Sequence, residues 1–304
     1  MDEDDLQIDE VPEEDLFGRN RYLAKCQELR ISPVSQVLKF LESQEMHITH
    51  YGLGLKGTQA LLSAMELNRT ITILRLTHNN IPDEGICALA EGLVARKHKT
   101  VTEIDVSGNR LQAKGAKALA NMLGQRGTIL KCLNLSHMHL GDKDATPLLL
   151  SLENNTSLKT NNCLQELILS WNKLRPKGVI AIAESLKPNM ALQVLGLAWC
   201  GVQDAGALAL GTTLKSNQGL VDVDLSGNGI TSEGAIALAQ GVAASQSLAA
   251  VLLDNNDIRE DGGKAMLKAV QENKGLVACQ MENTNTSPQL RSAVEALLSP
   301  RVPQ

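Results

Sequence analysis

The chain of 304 residues carries 29 basic and 34 acidic side chains, a formal charge of -5, and a hydrophobic fraction of 43%. That fraction supports a folded core and excludes a wholly disordered chain; with only two Phe, two Trp and two Tyr, the core must be stacked from Leu, Ile, Val and Ala. No apolar run is long enough to span a membrane, and the acidic start is unlike a basic-then-apolar signal peptide, so a soluble, cytoplasmic chain is expected.

Residues 1–18 hold nine Asp or Glu and no Lys or Arg, which leaves the remaining 286 residues at +4. So acidic and apolar-poor a segment reads as a disordered tail. Residues 19–42 read as a helical N-terminal cap. An amphipathic stretch from Arg19 to Arg30 comes first. A second helix is expected to start at Ser32 and Pro33, with Val34, Val37, Leu38 and Leu41 on one face.

Residues 43–286 repeat a unit of about 28 residues, L-x-x-L-x-L-x-x-N-x-I/L-x-x-x-G-x-x-A-L-x-x-x-L. Its clearest copies run from Leu164 through Asn172 and from Leu220 through Asn228. Nine positions share the Asn slot: Tyr51, Asn79, Asn109, Met138, Asn172, Cys200, Asn228, Asn256 and Thr284. Their steps of 28, 30, 29, 34, 28, 28, 28 and 28 are a solenoid signature. The L-x-L segments alternate as short half-buried strands do. The Asn amide suits the bend that leaves the strand, and A-x-A-L with L-x-x-x-L builds one helical face. Strands stack at about 4.8 Å whereas packed helices need about 8–10 Å. One α/β horseshoe of about nine repeats is therefore predicted, with parallel strands on its concave face and helices on its convex face. Residues 287–304 read as a C-terminal cap. Ser287 and Pro288 open a helix carrying Leu290, Val294, Leu297 and Leu298, and a frayed tail is expected from Arg301 onward. The six cysteines show no paired spacing and read as reduced packing thiols.

The repeat resembles the ribonuclease-inhibitor type of leucine-rich repeat, also seen in Ran GTPase-activating proteins and NOD-like receptor tails. Finer stretches, namely Tyr22-Leu-Ala-Lys-Cys26, His50-Tyr-Gly-Leu-Gly54, Leu169-Ser-Trp-Asn172 and Gly206-Ala-Leu-Ala-Leu-Gly211, resemble the leucine-rich repeat-containing protein 74 group. That resemblance implies a protein-binding solenoid. It also opens two further expectations, a structural subunit of a larger assembly such as a ciliary or flagellar axoneme, and a Ran-type GTPase activator.

The register assigns the inner surface. Its acids include Glu45, Glu103, Asp105, Glu166, Asp222, Asp224, Asp254 and Glu282, against the bases Arg75 and Lys131. A negative concavity favours a protein partner with a basic patch and disfavours nucleic acid. Trp171 and Trp199 occupy one slot on adjacent repeats, just before the Asn position, and His137 holds it one repeat earlier. Two large aromatics side by side on a rim read as an interface anchor. Partner binding is thus assigned to Trp171, Trp199, His137, Glu103, Asp105, Glu166, Asp222, Asp224 and Arg75. A second, basic edge is expected at Arg96, Lys97 and Lys99, in a turn two residues longer than usual. Open carboxylate pairs lack the cleft that acid–base chemistry needs, and His137 with His139 lacks a fixed third ligand. No catalytic residue, metal or cofactor is expected, and the oligomeric state is left open.

Overall fold

The computed structural model describes residues 15–95, 100–125, 128–154 and 163–301. Nine three-residue strands form one parallel sheet in chain order. They are β1 (Glu45–His47), β2 (Ile73–Arg75), β3 (Glu103–Asp105), β4 (Cys132–Asn134), β5 (Glu166–Ile168), β6 (Val194–Gly196), β7 (Asp222–Asp224), β8 (Ala250–Leu252) and β9 (Ala278–Gln280). Each strand leads into a helix: α3 (Gly54–Met65), α4 (Asp83–Ala95), α5 (Ala113–Gly124), α6 (Asp142–Asn154), α7 (Arg175–Leu186), α8 (Gln203–Leu214), α9 (Ser232–Ala244), α10 (Arg259–Glu272) and α11 (Pro288–Leu298). The middle residue of each strand and the leucine-type residue two further on point into one continuous core, as with Leu167 and Leu169 or Val223 and Leu225. Burial of an aliphatic side chain of this size contributes about 1.5–3 kcal/mol. The solenoid is therefore held by many equivalent layers.

The sheet is two-faced because strand residues alternate. One face is the core, and the other carries the first and third residue of every strand. The register is unbroken, pairing Glu166 with Val194 and Asp222, and Ile168 with Gly196 and Asp224.

The repeated Asn side chain does more than close its own bend. Asn228 accepts from the backbone N–H groups of Cys200, Gly201 and Val202 in the preceding repeat, at 2.9, 2.9 and 3.2 Å. Its amide donates to Leu197 O and Ser226 O. Asn172 and Asn256 bridge neighbouring repeats in the same way. These buried amides satisfy backbone groups that water cannot reach. Cys200, in the same slot, retains one such bond through its thiol to Leu169 O.

Acids at the strand-to-helix turns, expected to complement helix dipoles, also join layers. Asp83 Oδ1 accepts from Gln112 N and Gly115 N, and Asp204 Oδ1 from Thr231 N and Gly234 N. This explains the repeat's glycine. A Cβ on Gly115 or Gly234 would sit 2.5 or 2.3 Å from that carboxylate oxygen.

At the N-terminus, α1 (Arg19–Leu29) and α2 (Ser35–Phe40) cover the first layer, burying Tyr22, Cys26, Val37 and Leu41. The cap starts before residue 19. Asp15 accepts from the N–H groups of Asn20 and Arg21, and Phe17 packs on the core, so residues 15–18 join the cap and not the tail. The second helix begins at Ser35, two residues beyond its expected start. Residues 1–14, the rest of the expected tail, lie outside the described residues.

At the C-terminus Ser287 caps α11 through Leu290 N. Arg301, expected to fray, is docked. Its guanidinium donates to Val270 O, Asn273 O and Leu276 O at 2.9–3.0 Å. The reason is a second ladder at the helix-to-strand turns, formed by Asn68, Asn189, Asn217 and Asn273. Asn217 there donates to Leu186 O and Asn189 O, and Asn273 to Val242 O and Ser245 O. Arg301 falls 28 residues after Asn273 and takes the donor role of the next rung. Arg301→Ala should destabilise the last repeat by about 1–3 kcal/mol, read as faster amide exchange in residues 270–298 with the centre of the chain unchanged.

Candidate functional site: an aromatic rim over the inner sheet face

The slot before the Asn position has positive φ wherever it is filled by a non-glycine residue: His50, His78, His137, Trp171, Trp199, Asn255 and Asn283 lie between 53° and 63°. Gly or Asn suits that conformation, and a bulky side chain pays about 1–2 kcal/mol for it. Trp171 and Trp199 are nevertheless held there, half exposed at 50% and 43%. The indoles stack at 4.8 Å between centroids and 15° between planes, and His137 stacks on Trp171 at 5.2 Å and 13°. The backbone ladder sets this spacing, since His137 N donates to Ser170 O, Trp171 N to Ala198 O and Trp199 N to Ser226 O. Gly227 ends the strip, because a Cβ there would meet the Trp199 ring at 2.3 Å. With their faces covered by one another and by Gly227, the indoles present their edges. His50 and His78 form a separate stack at 4.7 Å.

Next to the rim the inner face is small and apolar. It is formed by Ile168 on β5, Val194 and Gly196 on β6, and Ala198, with Ile168 leaning over Gly196 so that a Cβ there would lie 3.0 Å from it. Asp222 and Asp224 follow on β7. Burial raises the Asp222 carboxyl above its ordinary value, and the Asp224 charge adds to the effect. Asp224 also closes its own turn through Ser226 N at 2.9 Å. No basic side chain among the described residues lies within ion-pair distance of either acid.

The first three strands differ. Arg75 bonds to Glu45 at 3.1 Å and lies 3.7 Å from Glu103, while His47 bonds to Glu45 at 2.9 Å. The hydrogen bonds from His47 and Arg75 hold the Glu45 carboxyl below its ordinary value. Asp105 is engaged by Ser107 N and by the Asn134 amide. The expected acidic surface thus divides into an internally compensated cluster at β1–β3 and an uncompensated pair at β7. Glu166 lies between them, exposed on β5. The structure brings together Trp171, Trp199, His137, Glu166, Asp222 and Asp224. Glu103, Asp105 and Arg75 belong to the other cluster. The expected basic edge at Arg96, Lys97 and Lys99 lies outside the described residues.

The apolar floor of Ile168, Gly196 and Ala198 was not singled out from sequence, although the strand register was enough to find it. Burial pushes the Cys132, Cys200 and Cys279 thiols up to about 12, where they stay protonated and unreactive. All six cysteines are free of disulfides. Among the described residues no three potential metal ligands cluster, and no helix is long and apolar enough to cross a membrane.

With nine parallel strands, alternating helices and the Asn ladder in place, the chain is a leucine-rich repeat protein. The family model described as "Leucine Rich repeat" matches residues 67–90, 97–120, 160–183, 189–211 and 216–239. Protein CARMIL of Dictyostelium discoideum is 25% identical over 174 residues, which is 56% of this chain and 16% of CARMIL. The match therefore spans only a small part of that relative. Among solved structures, the Leiomodin-1 Actin-Binding Site 2 is 20% identical with a TM-score of 0.44, covering 50% of this chain and 87% of that one. The tropomodulin C-terminal domain of Caenorhabditis elegans is 19% identical with a TM-score of 0.44, covering 50% and 91%.

Proposed function

We propose that the protein is a non-enzymatic interaction scaffold. In this reading it grips a basic segment of a partner protein on the inner face of β5–β7, with the edges of Trp171 and Trp199 as the anchor. One observation carries it: two half-exposed tryptophans are held at positive φ, at a conformational cost, beside two carboxylates without a cationic partner. Large aromatics next to a desolvated charge are what energetically dominant interface residues look like. A Lys or Arg suits the site, because its aliphatic stem can lie on Ile168, Gly196 and Ala198 while its charge meets Asp222. Glu166 and His137 extend the contact towards β4. Docking of a larger assembly on the outer edges, and acceleration of a small GTPase, are the rival readings. Turnover assays with purified small GTPases test the latter.

The test is Asp222→Asn. Because its folded carboxyl sits above the ordinary value, the ionised form opposes folding. The native state loses stability as pH rises from the unfolded value of about 3.9 through the raised one. Asp222→Asn should therefore leave the fold at least as stable at pH 7. It should also weaken capture of the partner several-fold and flatten the salt dependence of capture. Unchanged capture with unchanged salt dependence would remove Asp222 from the interface.

A further inference from the structure

The eight strand pairs repeat one set of backbone hydrogen bonds. The residue before each strand offers a carbonyl that accepts two N–H groups from the next repeat, as Gln193 O does from Val221 N and Asp222 N at 2.8 and 2.9 Å. The residue after each strand, and the one two further on, donate forward, as Leu197 N does to Asp224 O and Trp199 N to Ser226 O. At β9 the equivalent groups are Val277 C=O, Met281 N–H and Asn283 N–H, and among the described residues they have no partner. This edge does not face open water alone. It forms one wall of a groove of about 520 Å³ whose other wall is α11, lined by Cys279, Met281, Arg291, Val294, Glu295 and Leu298.

We propose that this groove is a peptide-binding site, separate from the aromatic rim, that takes an extended segment of another protein as a tenth parallel strand. A strand edge beside an amphipathic helix binds such a segment by main-chain hydrogen bonds, with alternate side chains entering the groove. The occupant is defined by complementarity. It supplies two consecutive N–H groups to Val277 C=O and, further along, carbonyls to Met281 and Asn283. Its middle residue is apolar, because every layer below buries one there, from Met46 to Cys279. Parallel orientation follows, since only that direction reproduces the set made eight times in the sheet.

The probe is a fluorescent synthetic peptide of residues 220–228, LVDVDLSGN, which presents this complement to β6 in its own layer. Saturable binding to the full chain is expected, with slowed amide exchange at Met281 and Asn283. N-methylation at the Asp222 nitrogen of the peptide, which faces the edge, should weaken binding about tenfold or more. The same change at Val223, whose N–H points away, should leave it intact. The Trp171→Ala, Trp199→Ala double variant should bind the peptide normally, so this site and the aromatic rim fail independently. Absence of binding, or equal loss with both N-methylated peptides, would overturn the assignment. Protection of Met281 and Asn283 that rises with protein concentration without peptide would assign the edge to a second copy and overturn it too.

Discussion

Replacing Trp171 and Trp199 together by alanine should weaken capture of the partner by about 2–4 kcal/mol, roughly 30- to 700-fold, without unfolding the chain. The indoles bury little in the free protein, being 50% and 43% exposed, so the core loses nothing. The lost stacking, about 0.5–1.5 kcal/mol for an aromatic pair, is the only native contact of note. Glycine at both positions is the sharper variant. It also relieves the positive-φ cost of about 1–2 kcal/mol per residue, so the folded state should be at least as stable as the native chain while capture is still lost. Thermal unfolding and titration of the same samples check both halves. A stably folded double variant that captures the partner undiminished would remove the aromatic rim from the interface.

The largest effect on stability is expected at Asn228. Asn228→Ala strips acceptors from three backbone N–H groups and donors from two carbonyls, all supplied now by one buried side chain. Each buried polar group left unsatisfied costs about 1–3 kcal/mol. With partial relaxation the sum should reach about 3–5 kcal/mol, at the severe end for a single substitution. Urea unfolding reads the loss, and amide exchange should accelerate first at residues 197–202, across the repeat boundary rather than around Asn228 itself. The exposed Gln165→Ala should stay within about 0.5 kcal/mol. If Asn228→Ala cost no more than that, the ladder would not be what joins the layers.

The site was half legible in the primary structure. The slot shared by His137, Trp171 and Trp199 follows from the register alone, and the stacking distance of 4.8 Å is the strand spacing showing through the side chains. The division of the acids was not legible. Glu45, Glu103, Asp105, Asp222 and Asp224 look alike as letters, but Arg75 reaches across two strands to the first pair while the two on β7 have no such neighbour. A charge count over a face cannot register which carboxylate a flexible guanidinium chooses. Arg301 shows the opposite case, because its place 28 residues after Asn273 was available and a terminal position made it look like tail.

Periodicity by itself determined the solenoid, the order and direction of its strands, the core residue of every layer and the slot that carries the tryptophans, because a repeat that cannot bury its own apolar face must stack on its copy. Only the tertiary structure decided which polar groups are spent on holding layers together and which remain available. The Asn amides, Asp83, Asp204 and Arg301 are consumed by neighbouring backbone, whereas Asp222, the indole edges and the outer edge of β9 are not. That distinction depends on distances of about 3 Å between residues some 28 positions apart, and on the directions of individual side chains, which a one-dimensional spacing leaves unspecified.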